Sequence, residues 1–166
     1  MRRAETIDEN GKVPSRFHFF SVQKLSVFGS PKPQPRPRAF VRKTKTGPPV
    51  ARVFDAGTAE NWKSRIAASA NGKRPPGAPL DCPIRVELRF IMPRPQSLRR
   101  KKDPAGPIPH TKRPDVDNLA KAVLDCLSEL GWWVDDTRVA ELEATKEYAS
   151  KEGVPGLELR VLVAKE

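Results

Sequence analysis

Between Val116 and Leu130 the apolar residues Val116, Leu119, Ala120, Val123, Leu124, Leu127 and Leu130 recur at intervals of three and four, and Gly131 follows at once. That spacing puts all seven on one stripe of an α-helix, whereas a strand would scatter them over both faces. It predicts a helix over 116–130, ended by a glycine suited to the left-handed conformation at a helix terminus. Upstream, "DCPIRVELRFIMP" alternates Ile84, Val86, Leu88 and Phe90 with Arg85, Glu87 and Arg89. Period two of this kind is a half-exposed β-strand. A helix and a strand so clearly marked in one short chain call for both element types, and the order of the rest points to an α+β class.

The remaining elements are read around these two. "FHFFSVQKLSVFG" is a strand signal ended by Gly29. "SPKPQPRPR" has proline at every second position, which forbids ladder pairing and favours an extended loop. "AFVRKTKTGPPVARVFD" reads as a hairpin around "TKTGPP", and "TAENWKSRIAASA" as a helix near 58–71 with Thr58 as N-cap and Trp62, Ile66 and Ala70 on one stripe. Residues 94–113 form a proline-broken loop. "TRVAELEATKEYA" and "GLELRVLVA" are two alternating strands, expected to be antiparallel neighbours around "SKEGVP". The chain of 166 residues is expected to hold one domain over 17–166, behind a flexible tail at 1–16. Its expected architecture is a mixed β-sheet with two helices in the order β, hairpin, α, β, α, β, β.

Charge divides unevenly along this chain. Residues 1–114 carry 25 Lys and Arg against 8 Asp and Glu, while 115–166 carry 6 against 12, within a formal net charge of +11. A basic excess of this size points to a polyanion such as nucleic acid, because Lys and Arg on phosphates release condensed counterions. The plainer alternative is a solubility surplus. A membrane partner is disfavoured by the lack of a basic amphipathic helix or a run of 18 apolar residues, and the start "MRRAETIDENGKV" lacks the apolar segment of a signal peptide. Cys82 and Cys126 stand alone, without zinc-ligand spacing or a disulfide framework, which suits a reducing cytoplasmic setting.

Against this background, "RPDVDNLAKAVLDCLSELGWWVDD" gathers acids. Asp115 and Asp117 flank Val116 at a loop-to-helix junction, where an extended entry can turn both carboxylates to one side. Alternatively, one is an N-cap and the other complements the positive end of the helix dipole. Lys121 and Asp125 continue the stripe at i+4 and i+8, an ordinary pattern for a helix surface as well as for a site. Asp135 and Asp136 stand before a strand, where turn residues are also common. If the acids converge, an oxygen-only ligand set without His or Cys suits Mg²⁺ or Mn²⁺.

"HTKRPDVDNLAKAVLDCLSELGWWVDDTRV", residues 110–139, resembles the signature of the RusA family of Holliday junction resolvases, bacterial and prophage endonucleases. The matching elements are PDxDN, a lysine four residues past its second Asp, LD, and W-x-DD before a strand. "FGSPKPQPRPR" is similar to the Pro- and basic-rich stretch after the first strand of phage-type members, so the likeness covers roughly residues 20–165. It implies a RusA-like fold, with Asp115, Asp117 and Asp136 as metal-binding and catalytic acids, Asp135 as the less certain member of its pair, Lys121 as the essential lysine and Asn118 as a neighbour in the motif. It also implies a Mg²⁺-dependent homodimer, without a small-molecule cofactor, that nicks four-way DNA junctions symmetrically in recombination and repair. The extension through Arg16 and the long 94–113 loop depart from the pattern.

Phosphate contacts are expected from Lys32, Arg36, Arg38, Arg99, Arg100, Lys101, Lys102, Lys112 and Arg113, on the loops 32–45 and 94–113. Trp132 and Trp133 are candidates for a dimer surface, or else both are buried at the end of helix 116–130. Two other readings stand beside the nuclease: a non-catalytic DNA-binding module with structural acids, and a DxD nucleotide-sugar transferase, which this charge and size disfavour.

Overall fold

The computed structural model describes residues 17–34, 38–42, 50–54 and 59–164. The expected tail at 1–16, the TKTGPP turn, Arg36 and Thr58 lie outside the described residues. The elements run β1 (Phe19–Phe28), β2 (Arg38–Arg42), β3 (Val50–Phe54), α1 (Glu60–Ala70), β4 (Ile84–Met92), β5 (Ile108–Pro109), α2 (Val116–Glu129), β6 (Val139–Tyr148) and β7 (Gly156–Ala164). Strands β2 and β3 make the expected antiparallel hairpin as a two-stranded sheet, and the other five form a mixed sheet in the order β1-β7-β4-β6-β5. The class read from the sequence, an α+β domain with a mixed sheet and two helices, is the one observed.

Two expectations are corrected: the stretch 94–113, read as loop, includes the short strand β5, and the last two strands pair differently. Strands β6 and β7 are not neighbours, because β4 lies between them, parallel to β6 and antiparallel to β7. Both flanking strands alternate, and alternation records which face is buried without naming the partner. Strand β4 pairs on both edges, and Ile84, Val86, Leu88, Phe90 and Met92 point from it into the core.

The buried stripes of both helices join that core. Trp62, Ile66 and Ala70 come from α1, and Leu119, Ala120, Val123, Cys126 and Leu127 from α2, against Leu25 and Val27 of β1 and Leu157, Leu159 and Val161 of β7. Fully burying a side chain such as Leu127, 0% exposed, contributes about 1.5–3 kcal/mol. The alternate residues of β4 carry Arg85 and Arg89. Arg85 pairs with Glu141 and Glu143 of β6, and Arg89 with Glu147 of β6 and Glu158 of β7.

Two glycines are required by geometry. Gly131 has φ +69° just past α2, where its N–H bonds the Ser128 carbonyl at 2.9 Å and the Trp132 N–H bonds the Leu127 carbonyl at 3.1 Å, satisfying two orphaned acceptors of the last turn. At Gly156 a Cβ would stand 2.6 Å from the Val27 carbonyl oxygen, so only glycine lets β7 run this close to β1. The turn at Gly131 directs Trp132 and Trp133 inward, and both are buried, at 0% and 1% exposure. Of the two readings of these tryptophans, burial behind α2 holds and the dimer surface does not.

Candidate active site

The chain reaches Asp115 along β6. Strand β5 pairs Ile108 with Tyr148 and Pro109 with Glu147, and the His110 N–H extends this pairing to the Lys146 carbonyl at 3.2 Å. The His110 ring then packs against Tyr148 with centroids 4.4 Å apart. The next four residues are held from below, where Lys146 Nζ donates to the carbonyls of Lys112 at 2.7 Å and Pro114 at 2.6 Å.

Asp115 takes the N-cap position of α2 with extended backbone, φ −73° and ψ 146°, and its carbonyl accepts the first helical bond from Leu119 at 3.2 Å. Its side chain makes no capping bond, although capping is the ordinary reason for Asp at this position. Asp117 follows in the first turn, and both carboxylates are exposed and form no hydrogen bond or ion pair among the described residues. Two unengaged anions at the positive end of a helix are free to take a ligand. The segment after β1 meets the same turn, since the Gln34 N–H bonds the Asn118 carbonyl at 3.0 Å, and exposed Lys32 lies two residues earlier.

Asp136 is placed further along α2. It starts a short 3₁₀ turn, Asp136–Arg138, and its Oδ1 accepts the Trp133 indole N–H at 2.9 Å and the Ser128 hydroxyl. Asp135 caps that turn by accepting the Thr137 N–H at 2.9 Å, and this bond, with the Thr137 hydroxyl and Arg138 adding to it, holds its carboxyl below the usual range. Asp125, on the stripe of Asp117 and Lys121 but left out of the expected site, is the residue sequence reasoning missed. Burial pushes its carboxyl up and neighbouring Asp136 and Glu129 add to this, while Lys121 and Lys63 oppose it. Its i+8 spacing from Asp117 was the available signal. Eight residues at 1.5 Å each separate Asp117 from Asp125 by about 12 Å, so the acids form a ridge along α2 with Lys121 between them.

The oxygen-only donors of this ridge fit a hard divalent cation in kind. Among the described residues no three Asp, Glu, His or Cys side chains gather closely enough to enclose one. The two unengaged carboxylates at the helix entrance match in number the one or two by which Mg²⁺ is ordinarily held, with water and substrate phosphate completing its shell.

The basic loop before β5 is more ordered than its sequence suggests. Arg94 is buried, and its guanidinium donates to the carbonyls of Leu98 at 2.8 Å, Pro104 at 2.7 Å and Gly106 at 2.9 Å. Lys151 adds a second tie through its ammonium to the Arg100 carbonyl at 2.8 Å and its N–H to the Ala105 carbonyl at 2.9 Å. Arg99, Arg100, Lys101 and Lys102 are thereby left exposed on a fixed loop, and Lys112 and Arg113 are exposed just before Asp115.

Comparison with known proteins bears on what this arrangement is. A family model described as endodeoxyribonuclease RusA matches residues 29–161, which include the whole acidic ridge and the basic loop. The chain belongs to the RusA family. Among its relatives, the RusA-like chain is 31% identical over 133 residues to an uncharacterised protein, YqaN, of Bacillus subtilis (strain 168), covering 77% of this chain and 89% of that protein. It is 39% identical over 46 residues to the crossover junction endodeoxyribonuclease RusA of Escherichia coli (strain K12), and equally to that of Enterobacteria phage 82. Those alignments span 28% of this chain and 38% of each named nuclease. Among the described residues of this RusA-family chain, no helix is long and apolar enough to cross a membrane.

Proposed function

We propose that this RusA-family nuclease is a Mg²⁺-dependent, structure-selective endonuclease that resolves four-way DNA junctions by paired phosphodiester hydrolysis. The observation that carries the reading is the pair of exposed, unengaged carboxylates of Asp115 and Asp117 at the entrance of α2, directly after the exposed bases Lys112 and Arg113. The named relatives are crossover junction endonucleases, which supplies the substrate class.

Asp115 and Asp117 are the residues that would hold Mg²⁺, or Mn²⁺ in its place, whereas Asp136, bonded to Ser128 about 16 Å further along α2, is too distant to join the same shell and would act on the substrate from the far end of the ridge. When bound, the cation supplies positive charge against the scissile phosphate and lowers the pKa of attacking water. Lys121, on the stripe of Asp117, faces the same phosphate and offsets the charge that develops in the transition state. Asp135 keeps its capping role. Arg99, Arg100, Lys101, Lys102, Lys112, Arg113 and Lys32 hold the phosphate backbones of the arms and set where the scissile bond falls.

One chain carries one acidic ridge, and resolving a junction takes two cuts, so the working unit is a two-fold homodimer. The test is cleavage of a synthetic four-way junction beside a linear duplex of the same sequence, with and without Mg²⁺. Paired nicks on the junction only, and only with the cation, are expected. Binding without cleavage at any metal concentration would leave a DNA-binding module instead.

A further inference from the structure

Lys146 belongs to none of the groups assigned above. It lies on β6, half-buried, and its ammonium donates to the carbonyls of Lys112 and Pro114 with no ion pair to a carboxylate among the described residues. A charge in that position is costly to desolvate, and a methionine would fill the same space without the cost. What the charge provides is two charge-assisted bonds to a stretch of chain that has left the β6 ladder at His110 and has not yet entered α2. Proline at 114 has no N–H, which leaves its carbonyl as the one main-chain polar group by which this residue can be held.

We infer that Lys146 is a positioning residue for the nuclease site, setting the Asp115 carboxylate by fixing the peptide that precedes it. The peptide plane joining Pro114 to Asp115 is rigid and contains the Pro114 carbonyl, the Asp115 nitrogen and the Asp115 Cα. A bond at 2.6 Å to that carbonyl oxygen therefore locks the plane, and with it the point from which the Asp115 side chain departs. The Lys112 bond fixes the approach two residues earlier. Asp115 needs this support because its own side chain makes no capping bond. Strand β6 is thus the template for the acid, and α2 only receives it.

This inference rests on the metal-nuclease reading, so its test separates the two. Mn²⁺ affinity of the DNA-free protein is measured by electron paramagnetic resonance for wild type, Lys146→Met and Lys146→Gln, together with nicking as a function of Mg²⁺ and metal-free junction binding. Ile66→Val, a core change on α1, serves as the control for stability alone. Lys146→Met is expected to weaken Mn²⁺ binding and raise the Mg²⁺ half-saturation of nicking by roughly 10- to 100-fold, as loss of a ligand-orienting group does, with junction binding unchanged. Lys146→Gln, which keeps one donor group, should fall between, and Ile66→Val should match wild type. Wild-type Mn²⁺ affinity and Mg²⁺ dependence in Lys146→Met or Lys146→Gln, in a wild type that binds metal and cuts, would overturn the inference. A wild type that neither binds Mn²⁺ nor cuts would instead remove the nuclease reading beneath it.

Discussion

The Trp133 indole nitrogen lies 2.9 Å from Oδ1 of Asp136, so a side chain that is 1% exposed in the core fixes an acid at the surface. The turn at Gly131 sends Trp133 inward, and the 3₁₀ turn three residues later brings Asp136 back to meet it. Trp133→Phe keeps the aromatic packing and removes the donor. Urea unfolding should show a loss of about 1.5–3 kcal/mol, the scale of one hydrogen bond to a charged group, and nicking should fall at least about tenfold as Asp136 loses its orientation.

Asp115→Asn and Asp117→Asn each remove ligand charge without removing a phosphate-contacting base. Junction binding in gel shift should stay at wild-type level or tighten, while nicking disappears. Near-normal nicking by both variants would remove these residues from the metal site.

The exposed bases of the 94–106 loop and the buried Arg94 beneath them should separate cleanly. Replacing Arg99, Arg100, Lys101 and Lys102 by Ala should leave thermal stability nearly unchanged and flatten the dependence of junction affinity on salt, since each lost phosphate contact lowers the slope by about 0.9. Arg94→Met should do the reverse in order of effect. It leaves the carbonyls of Leu98, Pro104 and Gly106 without their donor, costing about 2–4 kcal/mol in denaturant unfolding, and weakens DNA binding only through loss of loop order.

His110 gives a pH signature. Burial, and then the nearby Lys146 charge, hold its imidazole below the usual range. The unfolded chain therefore takes up a proton near pH 6.5 that the folded chain refuses, so this contribution to stability is complete above about 6.5 and is lost as pH falls toward the depressed folded value. Asp125, with its carboxyl pushed up, works oppositely, and its contribution falls as pH rises above about 4. Unfolding free energies at pH 7.5 and 5.5 should show wild type losing more stability on acidification than His110→Gln.

Much of this was legible before any coordinates. The seven-residue stripe of α2 and the alternation of β4 are local patterns that burial alone imposes, and each appears where the spacing put it. The β6–β7 neighbourhood was misread because a strand's pattern is the same whichever strand lies beside it. The structural roles of Arg94 and Lys146 escaped notice for a different reason. Arg94 stands in a basic stretch and looks like a phosphate contact, Lys146 stands among the glutamates of β6 and looks like a surface ion pair, and the main-chain carbonyls that hold these two leave no mark in a sequence. Asp125 was visible on the stripe, but its neighbours Lys63 and Asp136 arrive from elsewhere in the chain.

Among the described residues strand β1 has a single partner in the sheet, β7, and β7 also borders β4. The first described strand is thus tied to the rest of the sheet through the last one. During synthesis the backbone edge of β1 must wait unpaired until more than a hundred later residues have emerged, and loop closure over that distance comes before any reward from pairing. Folding should be slow for a chain of this size, and the waiting edge is where a nascent or partly folded molecule would pair with a stranger.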